Sequence, residues 1–382
     1  MPVREVWFWQ RIISPHMAVL AAVLARTGCR VTYVTEQVMT SDRAALGWQA
    51  PELPGVELRR AATAQQAAKL AADAPAQAVH LCQGIRANGV VAAAQRALAR
   101  RGRGFWVIME TVEDTGLAGL ARRLLYRAQF LSWRSHIGGV LAIGRQTVQW
   151  VQARGVPDAR VVPFAYFLQD DDGSVLAQAA QPGGAFRLLF VGQFIELKRL
   201  DLLIDALASV ADRVPEFRLQ VIGSGPLEGA LRSKAEALLG QRLEWLGQLP
   251  MHEARQRMAL ADCLVLPSRH DGWGAVVSEA LMAGTPAICS DRCGAAEVAL
   301  ASGTGGVFAS GDQRALEALL VQQIAQGRQT PERRAALAQW ARALGAEAGA
   351  RYLLDIIARQ PGAMPGLTPP WRTVSPAGGW TS

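Results

Sequence analysis

Short runs of β-branched and aromatic residues alternate along this chain with longer stretches of Ala, Leu and Arg, and the whole alternation occurs twice. Parallel strands cannot be joined by a hairpin and need a crossover of roughly a dozen residues, which the Ala/Leu/Arg stretches supply. The pattern therefore constrains the chain to parallel α/β sheets. Strands are expected at 3–9, 30–35, 78–82, 105–109 and 138–142, with helices such as 17–26 and 90–101 between them. Ser14-Pro15 offers an N-cap and first-turn proline for the first helix. After Asp170-Asp171-Asp172-Gly173 and Gln181-Pro182-Gly183-Gly184, a polar Gly/Pro-rich linker, strands are expected at 186–191, 218–222, 243–246, 263–266 and 286–289. Two doubly wound Rossmann-like domains follow, at 1–175 and 185–360. A Pro/Gly-rich tail, 361–382, is expected as a partly disordered extension or a surface strap.

Half of the 382 residues are apolar and 19% are charged, which excludes a disordered chain. The 40 basic and 32 acidic residues are unevenly placed: 20 and 13 fall in 1–180, 20 and 19 in 181–382. The excess positive charge belongs to the first half, which points to an anionic surface or ligand there. Five cysteines, odd in number and without a C-x-x-C unit, fit a reducing compartment. Cys289 and Cys293 lack His partners at ligand spacing, so no metal is expected. Glu5 and Arg11 interrupt any signal-peptide core, and no apolar run reaches the ~18 residues a membrane span needs. A cytoplasmic protein is expected.

The densest motif is the run Pro267-Ser268-Arg269-His270-Asp271-Gly272-Trp273-Gly274, continuing through Glu279 to Gly284-Thr285-Pro286. It places one carboxylate in a loop after a strand and a second a turn and a half into a helix. The amides of Gly272, Trp273 and Gly274 lie at that helix's positive end. Carboxylates there accept hydrogen bonds from hydroxyls, which suits a polyhydroxylated ligand; a chance Asp-x7-Glu in an ordinary helix start is the competing reading.

This run resembles the signature of the family-four glycosyltransferases, group 1 transferases of GT-B fold. The resemblance implies two Rossmann-like domains facing a central cleft and transfer from a nucleotide-sugar donor, UDP- or GDP-linked, with retention and without a metal or other cofactor. It implies that Asp271 and the Gly272–Gly274 amides grip the sugar and that Glu279 binds the ribose. His270 adjoins Asp271 and is expected to line the site. The family has Glu where this chain has Asp271, one methylene shorter. In Gly192-Gln193-Phe194-Ile195-Glu196-Leu197-Lys198-Arg199 the family's G-R-x-x-x-x-K pattern recurs. Lys198, one of three lysines against 37 arginines, then stands where a cation meets the departing diphosphate. Gln193 replaces the family's Arg, and Arg199 is expected to make up part of that charge. Gly223-Ser224-Gly225-Pro226 resembles the family's glycine turn, and Leu249 occupies the position that lies against the nucleotide base. A dinucleotide reading of Gly223, Gly225 and Gly229, with Glu244 some 20 residues on, competes with it.

In the first half the expected glycine loop is missing after strand one, and Glu110 stands where the family has a His. If it faces the cleft, Glu110 orients or deprotonates an acceptor hydroxyl; the bland reading is a solvated carboxylate beside Glu113 and Asp114. Residues 96–134 carry eight arginines against three carboxylates. Arg122, Arg123, Arg127 and Arg134 flank an apolar stripe of Leu117, Leu120, Leu124, Leu125, Tyr126, Phe130 and Trp133. Such a helix reads as a membrane-surface or acceptor patch, against an ordinary packed helix with a solvated basic face. The expected activity is glycosyl transfer to a hydroxyl of a lipid-linked or polysaccharide acceptor in cell-envelope biosynthesis. The protein would then sit peripherally on the inner face of the membrane and bind no nucleic acid. The alternatives are a catalytically silent sugar-nucleotide-binding scaffold and an NAD(P)-dependent oxidoreductase.

Overall fold

A computed structural model of the chain describes residues 5–39, 50–114, 116–170, 184–359 and 367–374. They form two compact units, each built on one wholly parallel sheet. Unit one comprises 1–169 and 345–370; unit two comprises 170–344 and 371–382.

The unit-one sheet has seven strands in the order β3-β2-β1-β4-β5-β6-β7: β1 (Glu5–Gln10), β2 (Arg30–Thr35), β3 (Glu57–Arg60), β4 (Val79–Gln83), β5 (Phe105–Met109), β6 (Ile137–Ile143) and β7 (Val161–Phe164). The unit-two sheet has six in the order β10-β9-β8-β11-β12-β13: β8 (Phe186–Val191), β9 (Phe217–Ile222), β10 (Leu243–Gly247), β11 (Cys263–Leu266), β12 (Ala287–Ser290) and β13 (Gly306–Phe308). In each sheet the order reverses beside the first strand, between β1 and β4 and between β8 and β11. Ligands of such folds bind beyond the carboxyl ends at those two places.

All ten strands expected from the sequence are present, with ends moved by at most two residues. The three that periodicity missed, β3, β7 and β13, are all sheet edges. β3 is Glu-Leu-Arg-Arg and mostly exposed, and β7 contains Pro163, a residue that sheets tolerate at an edge. Ser14 does take the N-cap position and Pro15 the first helical turn, but the Ser14 side chain makes no capping bond; the Ser14 carbonyl accepts from Ala18 N–H instead.

The domain boundary needs correction. The sequence assigned 185–360 to the second domain, whereas the helix Ala346–Ala358 belongs to unit one and packs on the helix Pro15–Arg26. Its Gly349 lets the backbone approach Phe167 so closely that a Cβ would lie 2.3 Å from the ring. Tyr352 Oη donates to the Pro163 carbonyl at 3.0 Å, and Ala346 N–H to the Leu168 carbonyl at 2.7 Å. Sequence periodicity cannot report such a return, because an amphipathic helix does not state which core it joins. Of the expected tail, 367–374 is described and includes a helical turn, Pro370–Thr373; the remainder lies outside the described residues.

Ala in place of a helical Gly ordinarily stabilises by about 1 kcal/mol. At Gly349 overpacking against Phe167 opposes this by about 1–3 kcal/mol. Gly349→Ala is therefore expected to lower the denaturant midpoint of the chain, checked by equilibrium unfolding; a raised midpoint contradicts the packing assigned here.

Candidate donor site in unit two

Two loops meet at the carboxyl ends of β8 and β11. The first runs from Gly192 through a 3-10 turn, Glu196–Lys198, into the helix Leu200–Val210. The second, Pro267 to Gly274, enters the helix Ala275–Met282 with Gly274 as N-cap in a left-handed conformation, φ 85°. Arg269 N–H donates to the Leu197 carbonyl at 2.8 Å, and Lys198 Nζ lies 2.5 Å from Asp271 Oδ2. Residues 73 positions apart are thereby brought into an ion pair whose side chains are each about one-fifth exposed.

The glycines explain the close approach of these loops. A Cβ on Gly192 would lie 3.3 Å from the Phe190 ring, and the Lys198 stem passes at ordinary contact distance, 3.9 Å. A Cβ on Gly223, whose φ is 147°, would fall 1.9 Å from the Gly192 carbonyl oxygen, and one on Gly225 would fall 2.7 Å from the Phe194 backbone. Phe194 N–H donates to Ser224 O and Leu227 N–H to Phe194 O, while the Phe194 ring is buried against Trp245. The G-x-G turn is thus used in packing one loop on another. Gly229 has neither a positive φ nor a close neighbour, and Glu244 is engaged by Gln220 Nε2 at 2.6 Å and by Arg257. Gly223, Gly225 and Glu244 are thus engaged within unit two, while Gly229 shows no close backbone approach.

Glu279 lies in the second turn of its helix with a side chain only 10% exposed. Burial pushes its carboxyl above the usual range, and Arg255, 4.0 Å away on the helix Met251–Leu260, partly opposes the shift. Arg255 was not singled out in the sequence; nothing in its own segment marks it, since the pairing arises from helix packing.

Other expected site residues fare unequally. Gln193 is exposed, and His270 and Leu249 are half-buried on their loops. Arg199 adopts a left-handed backbone, φ 53°, at the helix entrance, and its Nε binds Asp201 at 3.1 Å. Arg199 thus has a carboxylate partner, as Lys198 has in Asp271. The Trp273 side chain does not line the loop mouth: it is 2% exposed, with its indole N–H on Ser278 Oγ at 3.1 Å. Only its backbone amide remains a candidate contact. Among the described residues no acceptor is assigned to the amides of Gly272, Trp273 or Gly274.

Glu110 and the arginine patch belong to unit one. Glu110 follows β5 and is half-buried, not a freely solvated carboxylate. Its neighbour Asp114 is likewise half-buried: it pairs with the buried Arg154 and accepts from Trp150 Nε1–H at 3.0 Å. The single apolar stripe expected on the helix Gly116–Trp133 is in fact two. Tyr126 and Phe130 face the core, while Leu117 (88% exposed), Leu120, Leu124 (61%), Leu125 and Leu131 face out. Arg123, Arg127 and Arg134 are exposed, but Arg122 is half-buried and bonds the Glu113 carbonyl, so it drops out of the patch.

The raised Glu279 pKa has a pH consequence. Between about pH 4.5, its ordinary value, and the raised folded value, the folded state holds more protons than the unfolded one, so stability falls as pH rises through that window. Glu279→Gln removes this cost. Its melting temperature is expected to exceed that of wild type at pH 7, with the gap closing towards pH 4, as measured by thermal melts across that range.

Residues 175–343 match the profile of the family described as glycosyl transferases group 1. The phosphatidyl-myo-inositol mannosyltransferase of Mycobacterium leprae (strain TN) is 29% identical over 230 residues, 60% of this chain and 59% of that enzyme. The 2-deoxystreptamine glucosyltransferase of Streptomyces kanamyceticus is 36% identical over 98 residues, 25% of each chain. The chain thus spans less than two-thirds of the length of these curated relatives. Among solved structures, the lipopolysaccharide outer core galactosyltransferase WaaB aligns with a TM-score of 0.69 at 16% identity, covering 93% of this chain and 99% of that one. Anabaena HepE in complex with UDP aligns with a TM-score of 0.71 at 14% identity and the same coverage. Residues 175–343 are thus similar to the group 1 glycosyltransferases, and the fold of the chain is that of the GT-B structures.

Proposed function

We propose that the protein is a retaining, metal-independent glycosyltransferase that moves a sugar from a UDP- or GDP-linked donor to a hydroxyl of a lipid-linked or polysaccharide acceptor. The observation that carries this reading is the Lys198–Asp271 pair, held over the start of the helix that bears the buried Glu279. In the proposed cycle Lys198 exchanges Asp271 for the donor diphosphate and neutralises the charge that grows there as the glycosidic bond breaks. Asp271, released, accepts hydrogen bonds from sugar hydroxyls, with the 272–274 amides beside it, and Glu279 accepts from the ribose. His270 and Leu249 are assigned to the walls of the sugar and base subsites. Positioning and charge stabilisation supply the rate, and Glu110 orients the acceptor hydroxyl. The names of the relatives support both halves of the reaction: a mannosyltransferase named for phosphatidyl-myo-inositol, and a HepE structure holding UDP.

The outward face of the helix Gly116–Trp133 supports the acceptor side of the proposal. Five exposed leucines on one helix, flanked by Arg123, Arg127 and Arg134, suit an anionic bilayer surface, where each basic residue contributes about 1 kcal/mol. No helix among the described residues is long and apolar enough to cross a membrane. The attachment proposed from the leucine and arginine face is peripheral, on the inner face of the membrane.

Lys198→Ala and Glu279→Ala are each expected to lower turnover by about 10²–10³-fold or more with the far-UV circular dichroism unchanged. Near-normal turnover in both overturns the reading, and bound nucleotide with no transfer or donor hydrolysis by wild type favours a silent scaffold. In liposome flotation the protein is expected to bind anionic vesicles at low salt, to bind less at high salt, and to lose binding in Leu117→Glu/Leu124→Glu. Failure of wild type to float at low salt rejects the membrane assignment.

A further inference from the structure

The last described turn, Pro370–Thr373, carries Trp371 into the core of unit two, directly behind the candidate donor loop. Trp371 is 1% exposed, and its ring centroid lies 6.5 Å from that of Trp273, tilted by 59°. Its indole N–H donates to Glu297 Oε1 at 3.0 Å, and Arg372 Nε donates to the same oxygen at 2.8 Å. Trp340 Nε1–H donates to the Val374 carbonyl at 3.2 Å, which closes the turn from the other side. Glu297 opens the helix Ala296–Ala301, and the residues just before that helix hold the donor loop itself. Gly294 N–H donates to Asp271 O at 3.0 Å and Ala295 N–H to Trp273 O at 2.7 Å. At position 294 a Cβ would lie 2.1 Å from the Gly272 carbonyl, so backbone rests on backbone. The loop is therefore gripped twice, by its carbonyls and by the Trp273 ring, and both grips lead to Trp371.

We infer that Trp371 is a positioning residue for the nucleotide-sugar site, acting through Trp273 and Glu297 on the backbone that carries Asp271 and the 272–274 amides. The inference rests on the reading of that loop as the donor site. Without the indole, a void opens behind Trp273, and the surrounding structure moves part-way into it. Trp273 is bonded through its own backbone to Gly272 and Gly274, so the movement reaches the groups meant for the sugar. A misplacement of about 1 Å at such a site costs on the order of 10²-fold. A merely structural anchor lowers the melting temperature and leaves donor affinity alone.

The test uses the full chain as wild type, Trp371→Ala, Trp371→Phe and Glu279→Gln. UDP-glucose and GDP-mannose are titrated by calorimetry below every variant's melting temperature. Trp371→Ala is expected to weaken the bound nucleotide sugar about tenfold or more, and Trp371→Phe, which refills most of the space, to recover affinity to within about threefold of wild type. If Trp371→Ala does not fold, Trp371→Leu replaces it under the same criterion. Wild-type affinity in Trp371→Ala, together with lost affinity in Glu279→Gln, overturns the positioning role alone. Wild-type affinity in both, or no binding of either nucleotide sugar by wild type, overturns the donor-site reading and the inference with it.

Discussion

Backbone laid directly on backbone is the constraint on which the candidate site depends. The Gly192 carbonyl occupies the space that a side chain at 223 would need, and the Gly272 carbonyl the space of one at 294. These approaches draw the loops after β8, β9, β11 and β12 into one layer at the carboxyl end of the sheet. Only there can Lys198 and Asp271, 73 residues apart, form an ion pair. A side chain at 223 or 294 would have to displace main chain, which a close-packed interior resists.

Charge is distributed on this scaffold at a cost. Glu279 is buried with Arg255 4.0 Å away as its one cationic partner among the described residues, and its raised pKa registers a desolvation that Arg255 does not fully offset. At the amino ends of the same sheet the opposite imbalance occurs. Arg187 and Arg328 converge on Asp262 while Arg334 donates to the carbonyls of Ala259 and Ala261 and to Thr285 Oγ1. Burial pulls Arg334 down to about 10 even though Asp262 favours its charge. There the guanidinium ties strand entrances together; at the carboxyl end the carboxylate is left without a strong partner. A desolvated carboxylate of this kind beside a loop cleft makes the position a functional-site candidate.

The central strands were legible because burial on both faces writes a continuous apolar run, and the missed ones were edges, where one side of the strand faces no neighbour and the residues turn polar. The donor loop was legible for a related reason. Its glycines and carboxylates are contiguous in sequence, so local order preserves the motif. Arg255 and Trp371 were not legible, since each reaches the site from a different helix or turn and carries no local signature. The Gly116–Trp133 helix shows the limit most clearly. Its apolar residues are spread widely enough to face two environments, and composition alone merged Tyr126 and Phe130, which face the core, with Leu117 and Leu124, which face out.

The sequence by itself determined the parallel α/β class and the residues that carry the candidate donor chemistry, because strand-and-crossover spacing and a contiguous loop motif are properties of local order. Tertiary structure alone decided that the helix Ala346–Ala358 joins unit one, that Trp273 turns inward onto Trp371, and that Lys198 meets Asp271. Each of those outcomes depends on which surfaces compete for the same buried space or the same charge, and that competition exists only once distant segments have been brought together.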